Sequence, residues 1–213
     1  PGFTTRLFLS ERVLGTLQAA ASDVIGCGTD VAWLTAVVGA LFRLFPKQPC
    51  IYLSVKVPCR DGPGEGQMVG FLSEQRVFPV HLGEPQTATL LDIATSIAGV
   101  RRSRSWRAPA PFEAGLGVFV NIVSAFGDSL PSGFRHIVRT AGVQSTWLGQ
   151  GYCNLDLRID QLTATEWDFR IFHWDADWGW DWSECFAHAL GTTIGDMAVA
   201  PTAPMMAPPR RTS

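Results

Sequence analysis

The segment His173-Trp-Asp-Ala-Asp177-Trp-Gly179 places an imidazole four residues ahead of a carboxylate and six ahead of a glycine. An imidazole held against a reacting group can take up or deliver a proton near neutral pH. A carboxylate at that spacing can hold the turn around it. The same stretch alternates Trp174, Trp178, Trp180 and Trp182 with Asp175, Asp177 and Asp181. Indole rings bring large contact area at low entropic cost, which suits a binding surface. A strand end and helix cap whose rings cover the sheet edge would show the same pattern. Arg101, Arg102, Arg104 and Arg107 cluster at a predicted helix end, where they suit an anion and equally complement the helix dipole. Arg60 and Asp61 adjoin in a Gly/Pro loop, either as reacting groups or as an ion pair bracing the turn.

Other reactive side chains carry less. His81, His136 and His188 are isolated, and the five cysteines (27, 50, 59, 153 and 185) form no CxxC pair. That spacing argues against a zinc site and a disulfide framework, and a reducing cytoplasm fits it best.

The elements that position these residues read in alternating order. A short strand over 4–10 precedes a helix from Ser10-Glu11 to about Val24. Gly26, Gly28 and Thr29-Asp30 read as a turn and a second cap, opening a helix to about Phe45 that is apolar on nearly every face. Pro46 stops it. Strands are predicted over 51–57, within 68–82, and over 116–123, 154–159 and 166–174. A helix is expected over 87–104 and a last one from Asp181 to about Met197. Residues 58–66, with three Gly and two Pro, form a loop. Interleaved helices and strands of these lengths predict an α/β two-layer sandwich, a mixed sheet with helices mainly on one face. The fold is assigned to residues 1–200, and 201–213 reads as a Pro/Ala-rich linker or disordered tail.

Composition bounds the function classes. The chain has 213 residues, 46% hydrophobic and 17% charged, enough for one sizeable core. A net charge of −2 gives no electrostatic footprint for nucleic acid. The longest uncharged apolar stretch, 31–42, is shorter than the roughly 20 residues a membrane span requires. The Pro1-Gly2 start, without Met, suggests a chain cut from something longer.

Residues 55–72, VKVPCRDGPGEGQMVGFL, resemble the condensation domains of nonribosomal peptide synthetases. In that family a strand leads into a Gly/Ala-Arg-Asn turn, an acidic-proline loop, and then Ile/Val-Gly-Phe-Phe-Val-Asn-Thr. Pro111, Phe112 and Glu113 are similar to the family's Gln-Asp-x-Pro-Phe-Glu. The ending is a third likeness, with two paired strands, an Asp-rich turn and a terminal helix. All three belong to the C-terminal lobe of a two-lobed, chloramphenicol-acetyltransferase-like fold.

The resemblance implies a role in forming amide bonds between carrier-protein-bound thioesters. Its partners would be carrier proteins and the N-terminal lobe, with no nucleic acid and no membrane. No cofactor or metal would be bound, the phosphopantetheine arm of the carrier entering as substrate carrier. Arg60, Asp61, Gly70, Phe71, Ser73 and Glu74 are expected to line the substrate channel. The family's catalytic His-His-xxx-Asp-Gly lies in the other lobe, and no adjacent His pair occurs here. The isolated chain is therefore expected to be catalytically incomplete, with no catalytic residue of its own. Ser73-Glu74-Gln75 stand where the family has Val-Asn-Thr, so Glu74 replaces a channel-facing Asn.

Two alternatives remain. A free-standing acyltransferase would complete its site across subunits with His173 as base and Asp177 beside it, although Phe172 and Trp178 depart from that superfamily's His pair and following Gly. A degenerate condensation-like domain would serve protein interaction alone. A half-fold is further expected to expose a large apolar face where its partner lobe sits.

Overall fold

The six stretches expected to be extended pair into one mixed sheet of order β1-β6-β5-β4-β2-β3. The computed structural model describes residues 3–8, 11–21, 26–48, 50–58, 73–81, 87–102, 116–123, 155–161, 167–173 and 180–205. Within them run β1 (Phe3–Phe8), α1 (Glu11–Ala19), α2 (Thr29–Leu44), β2 (Cys50–Pro58), β3 (Ser73–His81) and α3 (Leu90–Arg102). The series closes with β4 (Leu116–Val123), β5 (Leu155–Gln161), β6 (Trp167–His173) and α4 (Trp180–Val199). β2, β4 and β5 are parallel, β3 on one side and β6 on the other run against them, and β1 is antiparallel to β6. Parallel strands need crossovers, and the expected α/β two-layer architecture supplies them.

Register explains the core. Ile51, Leu53 and Val55 of β2 stand opposite Leu116, Val118 and Val120 of β4. Val118 and Val120 then meet Leu155 and Leu157, and Leu157 and Ile159 meet Ile171 and Phe169. All of these are buried. Alternation puts them on one face, and the helices cover it. Trp33 of α2 approaches Phe169 with ring centroids 6.0 Å apart, and Phe169 approaches Phe186 of α4 at 6.1 Å.

Why α2 is apolar all round follows from its place. It packs against α1, α3 and α4, and every residue from Val31 to Arg43 is buried. Its cap departs from expectation. Gly28 is the N-cap, without a side-chain cap bond, and Asp30 Oδ1 instead accepts from the adjacent Val31 amide at 2.9 Å. Gly26 holds φ +64°, a left-handed turn that glycine enters without strain. The helix ends where expected, with Phe45 N–H donating to the Leu41 carbonyl before Pro46.

Two contacts lock the helix layer. A Cβ on Gly39 would lie 2.8 Å from both Leu90 Cδ2 and Thr193 Cγ2, so only a glycine lets α2 approach α3 and α4 this closely. Arg43, 7% exposed, is paired with the half-exposed Asp196 between α2 and α4. The first residues assigned to the tail, 201–205, lie against the helix layer. Pro201 and Met205 are hydrogen-bonded to the start of α3, and Met205 is buried. Among the described residues no helix is long and apolar enough to cross a membrane.

Candidate functional site

β2 ends at Pro58, at the carboxyl end of the parallel strands. β2 and β3 are paired as far as Pro58 and Ser73, with Glu74 opposite Val57. The parallel strands β2, β4 and β5 all point toward this end, which is where open α/β sheets most often hold ligands. Of the expected channel residues, Ser73 and Glu74 are the first two positions of β3. Arg60, Asp61, Gly70 and Phe71 lie outside the described residues, as do Pro111, Phe112 and Glu113. The strand expected within 68–82 is thus found over 73–81.

His173 is the last residue of β6 and is paired with Leu155 and Phe3. Leu155 opens β5, so His173 stands at the amino end of that parallel strand. Its row continues through Val118 and Leu53 to Phe78 of β3. Four inter-strand spacings, about 19 Å, therefore separate it laterally from the strand that carries Glu74. Glu74 lies four residues further along β3. The two centres of candidate chemistry do not converge. Asp177 lies outside the described residues.

The tryptophan run resolves in part. Trp182, half-buried in α4, stacks on Phe186 with centroids 5.3 Å apart and planes at 18°, extending the Trp33–Phe169–Phe186 series into the core. This is the covering role rather than an open binding surface. Trp174 and Trp178 lie outside the described residues. Arg101 and Arg102 are the last two residues of α3. Arg104 and Arg107 lie outside. His81 and His188 are exposed.

Two features of the sheet's other face were not anticipated. Arg6, Arg170 and Arg158 form one row across β1, β6 and β5. The adjoining rows carry Asp168 with Asp160, and Asp156. The alternation Asp156-x-Arg158-x-Asp160 signals the polar face, but only the register reveals the row. The second feature is Cys50, which stands opposite His81 at the edge of the sheet. Burial pushes the Cys50 thiol up, partly offset by a backbone hydrogen bond with Val80, and burial pushes Cys27 up as well. Both shifts oppose thiolate formation, so neither cysteine is tuned as a nucleophile.

The large apolar face expected of a half-fold is not found among the described residues. Val199, 86% exposed, is the large hydrophobic left open there. The reason is visible on the face away from the helices, where half-buried Tyr52, Asn121, Asp156, Arg158 and Arg170 alternate with the core positions. Among the described residues no group of three or more His, Cys, Asp or Glu is placed to hold a metal ion.

No protein-family model matches the chain. No curated protein matches it either. Solved structures do. The chain is similar to the condensation domain that mediates chain release from the enacyloxin polyketide synthase, at 18% identity and TM-score 0.65, covering 100% of this chain and 43% of that one. The condensation domain of the Monacolin K polyketide synthase MokA gives TM-score 0.69 at 9% identity, covering 97% and 49%. The first condensation domain of the calcium-dependent antibiotic synthetase, bound to a substrate analogue, gives 0.64 at 14%, covering 95% and 45%. The fold is therefore that of part of a condensation domain. The chain spans about half the length of these structures.

Proposed function

We propose that the chain is the C-terminal lobe of a condensation domain, one wall of the channel in which carrier-bound thioesters meet. The observation carrying this reading is coverage: essentially the whole chain is matched, against 43–49% of three condensation-domain structures. In the reaction, the acceptor amine attacks the donor thioester carbonyl, a C–N bond forms and the carrier thiol leaves. Bringing amine and carbonyl together supplies much of the acceleration, and a histidine beside them handles the proton. The chain supplies positioning surface, through Arg60, Asp61, Gly70, Phe71, Ser73 and Glu74. The N-terminal lobe supplies the histidine, and a carrier protein presents its phosphopantetheine arm. The similarity to a four-domain nonribosomal peptide synthetase, at TM-score 0.69 over 17% of that chain, supports a multidomain setting. The polar outer sheet face fits contacts within one polypeptide, which are more polar than those of obligate dimers.

The test is a thioester-cleavage assay with a range of acyl donors, on the chain and on His173→Ala. Both are expected at background, with turnover appearing when an N-terminal lobe bearing His-His-xxx-Asp-Gly is supplied. Turnover by the isolated chain that is lost in His173→Ala would overturn the reading and promote a free-standing acyltransferase. Glu74 in place of the channel Asn favours a second reading, a degenerate domain serving interaction alone. That reading predicts no turnover even with both lobes present.

A further inference from the structure

After α4 the chain turns back on itself, with Ala200 N–H donating to the Asp196 carbonyl and Ala203 N–H to that of Ala200. It then crosses the first turn of α3. That turn carries its own capping box. Thr89 Oγ accepts from Asp92 N–H at 3.1 Å, and Asp92 Oδ2 accepts from Thr89 N–H at 3.1 Å and from its hydroxyl at 2.7 Å. A helix start has four donors without intrahelical partners, and the box satisfies only some of them. Leu91 N–H donates instead to the Pro201 carbonyl at 3.0 Å, Thr89 bridges to Pro204, and Met205 N–H donates to the Ala88 carbonyl at 2.9 Å. Met205 is buried, its sulfur 3.6 Å from where a Cβ on Gly39 would sit, beside Leu90 and Thr193. A segment with the composition of a linker thus completes a helix cap and fills the tightest point of the helix layer.

We propose that residues 200–205 are a docked strap, a conformational device that anchors the outgoing chain to α3 at the sheet end away from the candidate channel. Position follows from connectivity. Arg43 and Asp196 pair near the carboxyl ends of α2 and α4, and α2 leads within six residues to Cys50 at the start of β2. Pro58 and Ser73 lie at the other end of that nine-residue strand, about 27 Å away. Unseating the strap would free the Leu91 amide and open the space beside Gly39 together, giving α3 a seated and an unseated state. This holds whatever reaction the domain serves.

Native-state hydrogen exchange on the whole chain tests it. The Leu91 and Met205 amides are expected to be protected together, and Met205→Asp to raise both exchange rates at least about tenfold while Val38 and Leu190 stay protected. If Met205→Asp does not fold, Met205→Ala carries the comparison, with a smaller loss at the same two amides. Unprotected Met205 in the wild type, or unchanged Leu91 protection in a folded Met205 variant, overturns the strap.

Discussion

The two ends of β2 are built differently. At Cys50 the neighbourhood is interlocked: α2, α3, α4 and the strap meet around Gly39, and Arg43 is paired with Asp196. At Pro58 the strand ends in its pair with Ser73, and the residues expected to touch substrate follow. Packing that holds the fold is concentrated at one end, and candidate chemistry at the other. A domain arranged this way can vary the residues between Pro58 and Ser73 at little cost to its core.

The largest effect is expected from Gly39→Val, which drives two methyl groups into contacts already 2.8 Å from a bare Cβ. Overpacking of this kind costs about 3 kcal/mol. For a chain of this size that lowers Tm by about 6–12 °C, read by thermal melting. Thr89→Ala comes next. It removes the capping hydroxyl while leaving the strap's backbone bonds, at a cost of about 1 kcal/mol, measured by urea denaturation. An unchanged midpoint would show that the strap alone secures the helix start. Glu74→Asn is expected to be smallest in stability, within about 2 °C of the parent Tm. Supplied with an N-terminal lobe, it is expected to raise product formation by restoring the amide of the resembled family. A Tm loss as large as that of Gly39→Val would join the two ends of β2 into one stability unit and abolish the contrast.

Much of this was legible in the residues. Alternation of the Leu155-x-Leu157-x-Ile159 kind marks a strand with one buried face, and an all-apolar α2 marks a helix with neighbours on every side. Local patterns stop at the element, however. That His173 lies four strands from Glu74 depends on β6 pairing with β1 and β5, which no local periodicity encodes. Gly39 looks like an ordinary weak point in a helix until α3 and α4 are placed against it. Met205 sits in a Pro/Ala run that reads as linker because its partners, Ala88 and Gly39, are more than a hundred residues away. Cys50 and His81 likewise meet only through register.

The edge strand β1 has a consequence for synthesis. Its partners on β6 are between 160 and 170 residues later in the chain, from Phe8 with Asp168 to Phe3 with His173. At ribosomal speeds of about 5–20 residues per second, β1 waits roughly 10–30 s after its synthesis before this pairing can form. Until then the backbone donors of FTTRLF lack their β6 partners. Arg6 and the two threonines at its centre are the kind of residues that discourage stray association. β1, made before the other described strands of its sheet, is thus among the last to find its place, and its polar centre guards it until then.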